Sequence, residues 1–168
     1  MNEQGITLIE LLIAISIIII LVVAAGITIP GLVGKSNLEN QVKSLQTDLM
    51  NARVRAMERN LLHFVVINAA DYQVFEDTNE SGGTAPNGGD NTAPGFNNPK
   101  NFLPNYGIGG WTGTVKMDTR GIIETVGTPL GNTIMFNIGT LVPEYDCIVI
   151  SQTRINIGRW NGAACDQR

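Results

Sequence analysis

From Leu11 to Gly34 the chain carries no charged residue (LLIAISIIIILVVAAGITIPGLVG). A helix of about 20 apolar residues is long enough to span a bilayer core. Beyond Ser36 the pattern changes. Leu38, Val42, Leu45, Leu49, Ala52 and Ala56 recur at spacings of four and three, which places them on one helical face. Lys43, Asp48, Arg53, Arg55 and Glu58 fall mostly off that stripe. Ser36 or Asn37 is the expected N-cap of this second stretch, residues 36–60. Between the two stretches stand Pro30 and Gly31, and proline inside a helix removes a hydrogen bond and kinks it. The prediction is one long helix, kinked near Pro30, apolar all round in its first half and amphipathic in its second. Three heptads are few for a coiled coil, so the amphipathic face is expected to pack on a sheet.

Strand patterns follow the helix. Leu62–Asn68 (LHFVVIN) and Tyr72–Glu76 (YQVFE) flank a short turn at Ala69-Ala70-Asp71 and read as a β-hairpin. Residues 77–114 are dominated by Gly, Asn and Pro and read as a long surface loop. Val115–Thr119, Thr133–Ile138, Asp146–Gln152 and Arg154–Trp160 are further expected strands. The expected fold class is α+β: a long kinked N-terminal helix, transmembrane in its first half, packed on an antiparallel β-sheet domain.

Composition narrows the chemistry. The 168 residues suit one domain plus one extra element. A net charge of −4 argues against a broadly basic surface that coats nucleic acid. One His and two Cys give no zinc spacing. Asp77, Glu80 and Asp90 in the long loop lack the alternating run and terminal Glu of a calcium loop. No metal, cofactor or catalytic residue is expected: His63 has no triad signal near it in sequence, and no phosphate loop or dinucleotide fingerprint is present.

The N-terminus carries a residue that a plain anchor does not explain. Glu10 stands among Ile6, Leu8, Ile9, Leu11 and Leu12. An ionisable residue in a membrane helix is costly unless paired or near the interface, and is a functional hypothesis by default. An ordinary signal peptide is a poor fit, because the leader MNEQG has no Lys or Arg and the apolar run is long.

Gly5-Ile6-Thr7-Leu8-Ile9-Glu10-Leu11-Leu12 resembles the cleavage motif of type IV prepilins and type II secretion pseudopilins. The resemblance implies a pilin fold and cleavage between Gly5 and Ile6 by a membrane-embedded prepilin peptidase, with N-methylation of Ile6. It implies a leader at 1–5, a transmembrane or filament-core helix at 6–34 and a periplasmic domain at 35–168. The protein would sit first in the inner membrane with its C-terminal domain in the periplasm. It would then join a periplasmic or surface filament of like subunits. In a stack of such helices, Glu10 of an incoming subunit can neutralise the Ile6 amine of the subunit before it.

Leu45–Asn60 (LQTDLMNARVRAMERN) is similar to a stretch of the GspH/FimT branch, which are minor pseudopilins and minor pilins. A structural filament subunit is therefore expected, with two alternatives: a DNA-binding minor pilin, or a major pilin. For the former, Arg154, Arg159 and Trp160 are the candidate DNA contacts, though Gly158-Arg159 is followed by Trp160-Asn161 and the Gly-Arg-x-Arg element of DNA-binding relatives is broken. Cys147 and Cys165 are either two core thiols or one disulfide, and export of the domain predicts the bond.

Overall fold

The computed structural model describes residues 7–26, 29–128 and 132–167. Two helices lead: α1, Leu8–Gly26, and α2, Ile29–Arg59. Pro30 stands in the first turn of α2, where its missing N–H costs no helical hydrogen bond. Helix α2 runs straight through Ser36 and Asn37, so neither is an N-cap. It ends where Asn60 takes a left-handed conformation, φ 54°, as helix C-terminal residues often do.

Ten strands follow. They are β1 His63–Ile67, β2 Asp71–Glu76, β3 Asn91–Thr92, β4 Lys100–Asn101, β5 Thr112–Met117, β6 Ile123–Thr128, β7 Thr133–Met135, β8 Cys147–Ile150, β9 Ile155–Trp160 and β10 Cys165–Gln167. They form two sheets in the orders β3-β2-β1-β5-β6 and β10-β9-β8-β7, with β4 also beside β2. All pairings are antiparallel. The segment leading into β5 meets the end of β7 through an Ile108–Phe136 bridge and a bond from Gly109 N–H to Met135 O at 2.9 Å. The fold is thus helix first, then antiparallel sheets, an α+β pilin-like arrangement.

The amphipathic stripe lands where its spacing put it. Leu38, Val42, Leu45, Leu49, Ala52 and Ala56 are all fully buried. They pack against β1 and β5 of the first sheet and β8 and β9 of the second. One helix face therefore closes both sheets, and Val65, Ile67, Val115, Ile134, Ile148 and Ile155 complete the core. Polar staples hold the same helix from its flanks. Arg53 donates to Gly121 O at 2.7 Å and to Thr153 O at 2.8 Å. Arg55 donates to Pro94 O and stacks on Phe96. Asp48 accepts from Tyr72 Oη at 2.6 Å and from Lys100 Nζ at 2.8 Å.

The loop expectation for 77–114 needs correcting in part. Residues 91–101 run back along β2, and β5 already begins at Thr112. Between β3 and β4, Asn98 takes the place of a strand residue. Its Oδ1 accepts Val74 N–H at 2.8 Å and its Nδ2 donates to Val74 O at 3.1 Å. Strands β6 and β10 were not expected from the sequence. Ile123-Glu124-Thr125-Val126 does not alternate apolar and polar, so periodicity gives no signal for β6. Gly113 and Gly127 face each other across β5 and β6 because Trp111 lies over them. A Cβ on Gly127 would come within 2.6 Å of the indole.

Candidate functional site

The N-terminal motif enters α1 as a closed polar turn. Thr7 precedes the helix, and Glu10 is its third residue. The Glu10 Oε2 accepts the Thr7 N–H at 2.9 Å and the Thr7 hydroxyl at 2.8 Å. In return the Thr7 Oγ1 accepts the Glu10 N–H at 3.3 Å. This is a capping box, in which two helix-terminal donors are satisfied reciprocally. The Thr-x-x-Glu spacing ahead of an apolar run was the signal for it, and reading Glu10 only as an unexplained acid missed it. Glu10 thus has an intrachain partner. Both bonds fall on Oε2, and Oε1 has no partner among the described residues. Gly5 and Ile6, the expected cleavage pair, lie outside the described residues.

Beyond the cap, every residue from Thr7 to Val23 is exposed. Leu8 is 80% exposed and Ile20 68%, with large apolar side chains all round the helix. A soluble domain rarely leaves an apolar surface of this extent uncovered unless something else binds there. The 19 residues of α1 rise about 28 Å at 1.5 Å each, just under the roughly 30 Å of a bilayer core. Among the described residues no helix is long and apolar enough to cross a membrane.

The two cysteines are joined. Cys147 opens β8 and Cys165 opens β10, and the bond passes over β9, with 6.0 Å between the Cα atoms. Gly158 lies beneath it, paired with Cys147 on one side and Gln167 on the other. A Cβ there would come within 2.9 Å of Cys165 Sγ and 2.3 Å of Asp166 O. Next to the bond, Asp146 is buried and accepts the Trp160 N–H at 2.5 Å. Burial pushes its carboxyl above the ordinary value, partly offset by the Trp160 N–H and by Arg159.

Arg154 sits in the β8–β9 turn and is exposed, its N–H donating to Ser151 Oγ at 3.2 Å. Arg159 is exposed on β9 and lies opposite Asp166 of β10. Trp160 follows it directly and is half-buried. Adjacent strand residues point to opposite faces, so Arg159 and Trp160 do not share one. The arginines of α2 are committed to the domain's own loops and to Glu76. Within Leu45–Asn60, Leu45, Leu49, Ala52 and Ala56 fill the core, and Asp48, Arg53, Arg55 and Arg59 pin the helix to both sheets, while Met50, Val54 and Met57 are exposed.

Residues 1–26 match the prokaryotic N-terminal methylation motif, the signature of type IV pilins and pseudopilins. The match ends at the residue where α1 ends. No curated protein and no solved structure matches the chain.

Proposed function

We propose that the chain is a structural subunit of a type IV pilus or a type II secretion pseudopilus, and a minor one of the GspH/FimT type. One observation carries the reading. Helix α1 shows apolar side chains on every side from Leu8 to Val23, within the methylation motif, and the globular domain covers none of them. A surface of that kind requires a continuous apolar environment. Before assembly the bilayer provides it, with the apolar run of the sequence continuing past Gly26 to Gly34. After assembly the α1 helices of neighbouring copies provide it.

The chemistry at the motif supports the same sequence of events. Prepilin peptidase cuts between Gly5 and Ile6 and leaves a cationic amine about one helical turn from Glu10. Glu10 Oε2 is spent on Thr7, which fixes the start of the helix, while Oε1 remains for a second partner. That partner is the Ile6 amine of the adjacent subunit. Two groups costly to bury alone are tolerated together, and the pair sets the axial register of the stack.

Mass spectrometry of protein recovered from sheared filaments and from the inner membrane tests this. The expected N-terminus is methylated Ile6, in both fractions. A mature N-terminus near Gly26, or an intact Met1, overturns the reading.

A further inference from the structure

The loop that leaves β2 carries a motif the filament reading does not use. Asn79-Glu80-Ser81 is an Asn-x-Ser tripeptide with no proline at its centre, the acceptor sequence for N-linked glycans in exported proteins. No other asparagine of the chain has Ser or Thr two residues after it. We propose that Asn79 is an N-glycan acceptor, modified outside the inner membrane from a lipid-linked sugar diphosphate. In the transfer, Asn79 Nδ2 bonds to the anomeric carbon as the bond from that carbon to the phosphate oxygen breaks. The lipid diphosphate leaves with the electron pair, and one amide proton passes to a base of the transferring enzyme.

The loop is built to present this side chain. Asp77, almost fully buried, anchors its base: its carboxylate oxygens accept Ser81 N–H at 3.1 Å and Gly82 N–H at 2.9 Å. Glu80 takes a left-handed conformation, φ 50°, and turns the chain at the tip. Asn79 is exposed, and its Oδ1 accepts the Ser81 N–H at 3.0 Å. The carboxamide oxygen is thereby tied back within the tripeptide. Its Nδ2 has two N–H donors and spends one on Asn87 Oδ1 at 2.8 Å. Gly89 leaves the room this needs, since a Cβ there would lie 2.0 Å from Asn79 Nδ2.

The position suits a subunit that must still assemble. Arg59 of α2 bonds to Glu76, the last residue of β2, so the loop begins beside the C-terminal end of α2. That helix has 31 residues and rises about 45 Å, with α1 preceding its other end. A glycan on Asn79 therefore stands at the end of the domain remote from the apolar helix. The inference needs export of the domain, which the proposed function supplies, but not entry into a filament.

The test uses full-length protein purified from the envelope of its own host. Peptide mapping of the wild-type chain is expected to show a glycan on Asn79. Asn79→Gln and Ser81→Ala are expected to lose the whole mass increment, and Ser81→Thr to keep it. Circular dichroism melts of the variants separate loss of the acceptor from misfolding, and if a variant does not fold the wild-type map decides alone. A bare Asn79, or an increment that persists in Asn79→Gln, overturns the proposal. The same intact-mass spectrum reads the N-terminus. A bare Asn79 with methylated Ile6 leaves the filament reading standing, whereas a bare Asn79 with intact Met1 removes both.

Discussion

Arg59 Nη1 lies 2.7 Å from one carboxylate oxygen of Glu76 and 2.8 Å from the other. The pair joins the last residue of α2 to the last residue of β2. Glu76 is only 2% exposed, and Arg59 is the cation bonded to it. Arg59→Ala leaves a buried carboxylate unpaired, which costs more than the loss of a surface ion pair. Because half of the arginine faces water, the expected loss is about 2 kcal/mol rather than the full value for a buried pair. Urea unfolding of the globular domain checks it: the midpoint falls and the slope stays unchanged.

His63 stands across the ladder from Glu76 and is fully buried. Its Nδ1 lies 3.2 Å from Leu61 O, while Nε2 has no partner among the described residues. Burial holds its pKa below the ordinary value. The Leu61 carbonyl and the Glu76 charge work against that shift, and Arg55 and Arg59 add to it. The folded domain therefore binds the proton less readily than the unfolded chain. Stability is expected to fall as pH drops below about 6.5, and to level off once the folded-state pKa is passed. His63→Phe should flatten the slope of stability against pH between about 5.5 and 7. The window stays above the carboxylate range, where Asp146 contributes with the opposite sign. An unchanged slope in the variant assigns the effect elsewhere.

Glu10 caps its own helix, and the proposed assembly gives it a second, separable duty as a charge for a neighbour. Glutamine at the third helical position still completes a capping box, and alanine does not. Glu10→Gln should therefore keep the turn at Thr7 and yet, like Glu10→Ala, should fail to enter filaments. Both variants should accumulate in the inner membrane. Fractionation of sheared filaments against membranes decides between the duties. Assembly of Glu10→Gln at wild-type level would leave the cap as the whole role of this residue.

The Cys147–Cys165 bond closes a loop with a sequence separation of 18. The chain-entropy relation gives about 3 kcal/mol for a loop of this size. Replacing both cysteines with alanine should cost about that much and release β10 first. Gly158→Ala should also destabilise the domain with the bond intact, by about 1–3 kcal/mol, because its Cβ meets Asp166 O and Cys165 Sγ. Thermal melts of the two variants under oxidising conditions test both, and a Gly158→Ala domain as stable as wild type would show that β10 shifts freely.

The helical half of this fold was legible because its signal is periodic and local. Six buried positions of α2, Leu38 to Ala56, follow from spacing alone. The hairpin of β1 and β2 was legible for the same reason, through alternation around a short turn. The disulfide followed from export and from there being two cysteines. What stayed hidden depends on distant partners. Segment 91–101 has no strand propensity and acquires its geometry from β2 through Asn98. Strand β10 is three residues long and exists because Cys165 is tied to β8. The helix start at Thr7 was available in the sequence, but the charge of Glu10 drew attention away from its spacing.

The strip laid along β2 also closes the outer margin of that strand. A sheet margin with unused N–H and C=O groups is a template on which another chain can add a strand, and a surface dense with like subunits makes such encounters frequent. Here Val74, at the middle of that margin, has both backbone groups claimed: Asn98 takes each of them, and the Val74 oxygen also receives the Ala93 N–H at 2.9 Å. Pro94 and Pro99 lie within the covering strip and offer no N–H to an incoming strand. In the proposed filament, the stretch richest in Gly, Asn and Pro would therefore guard neighbouring domains against fusing edge to edge.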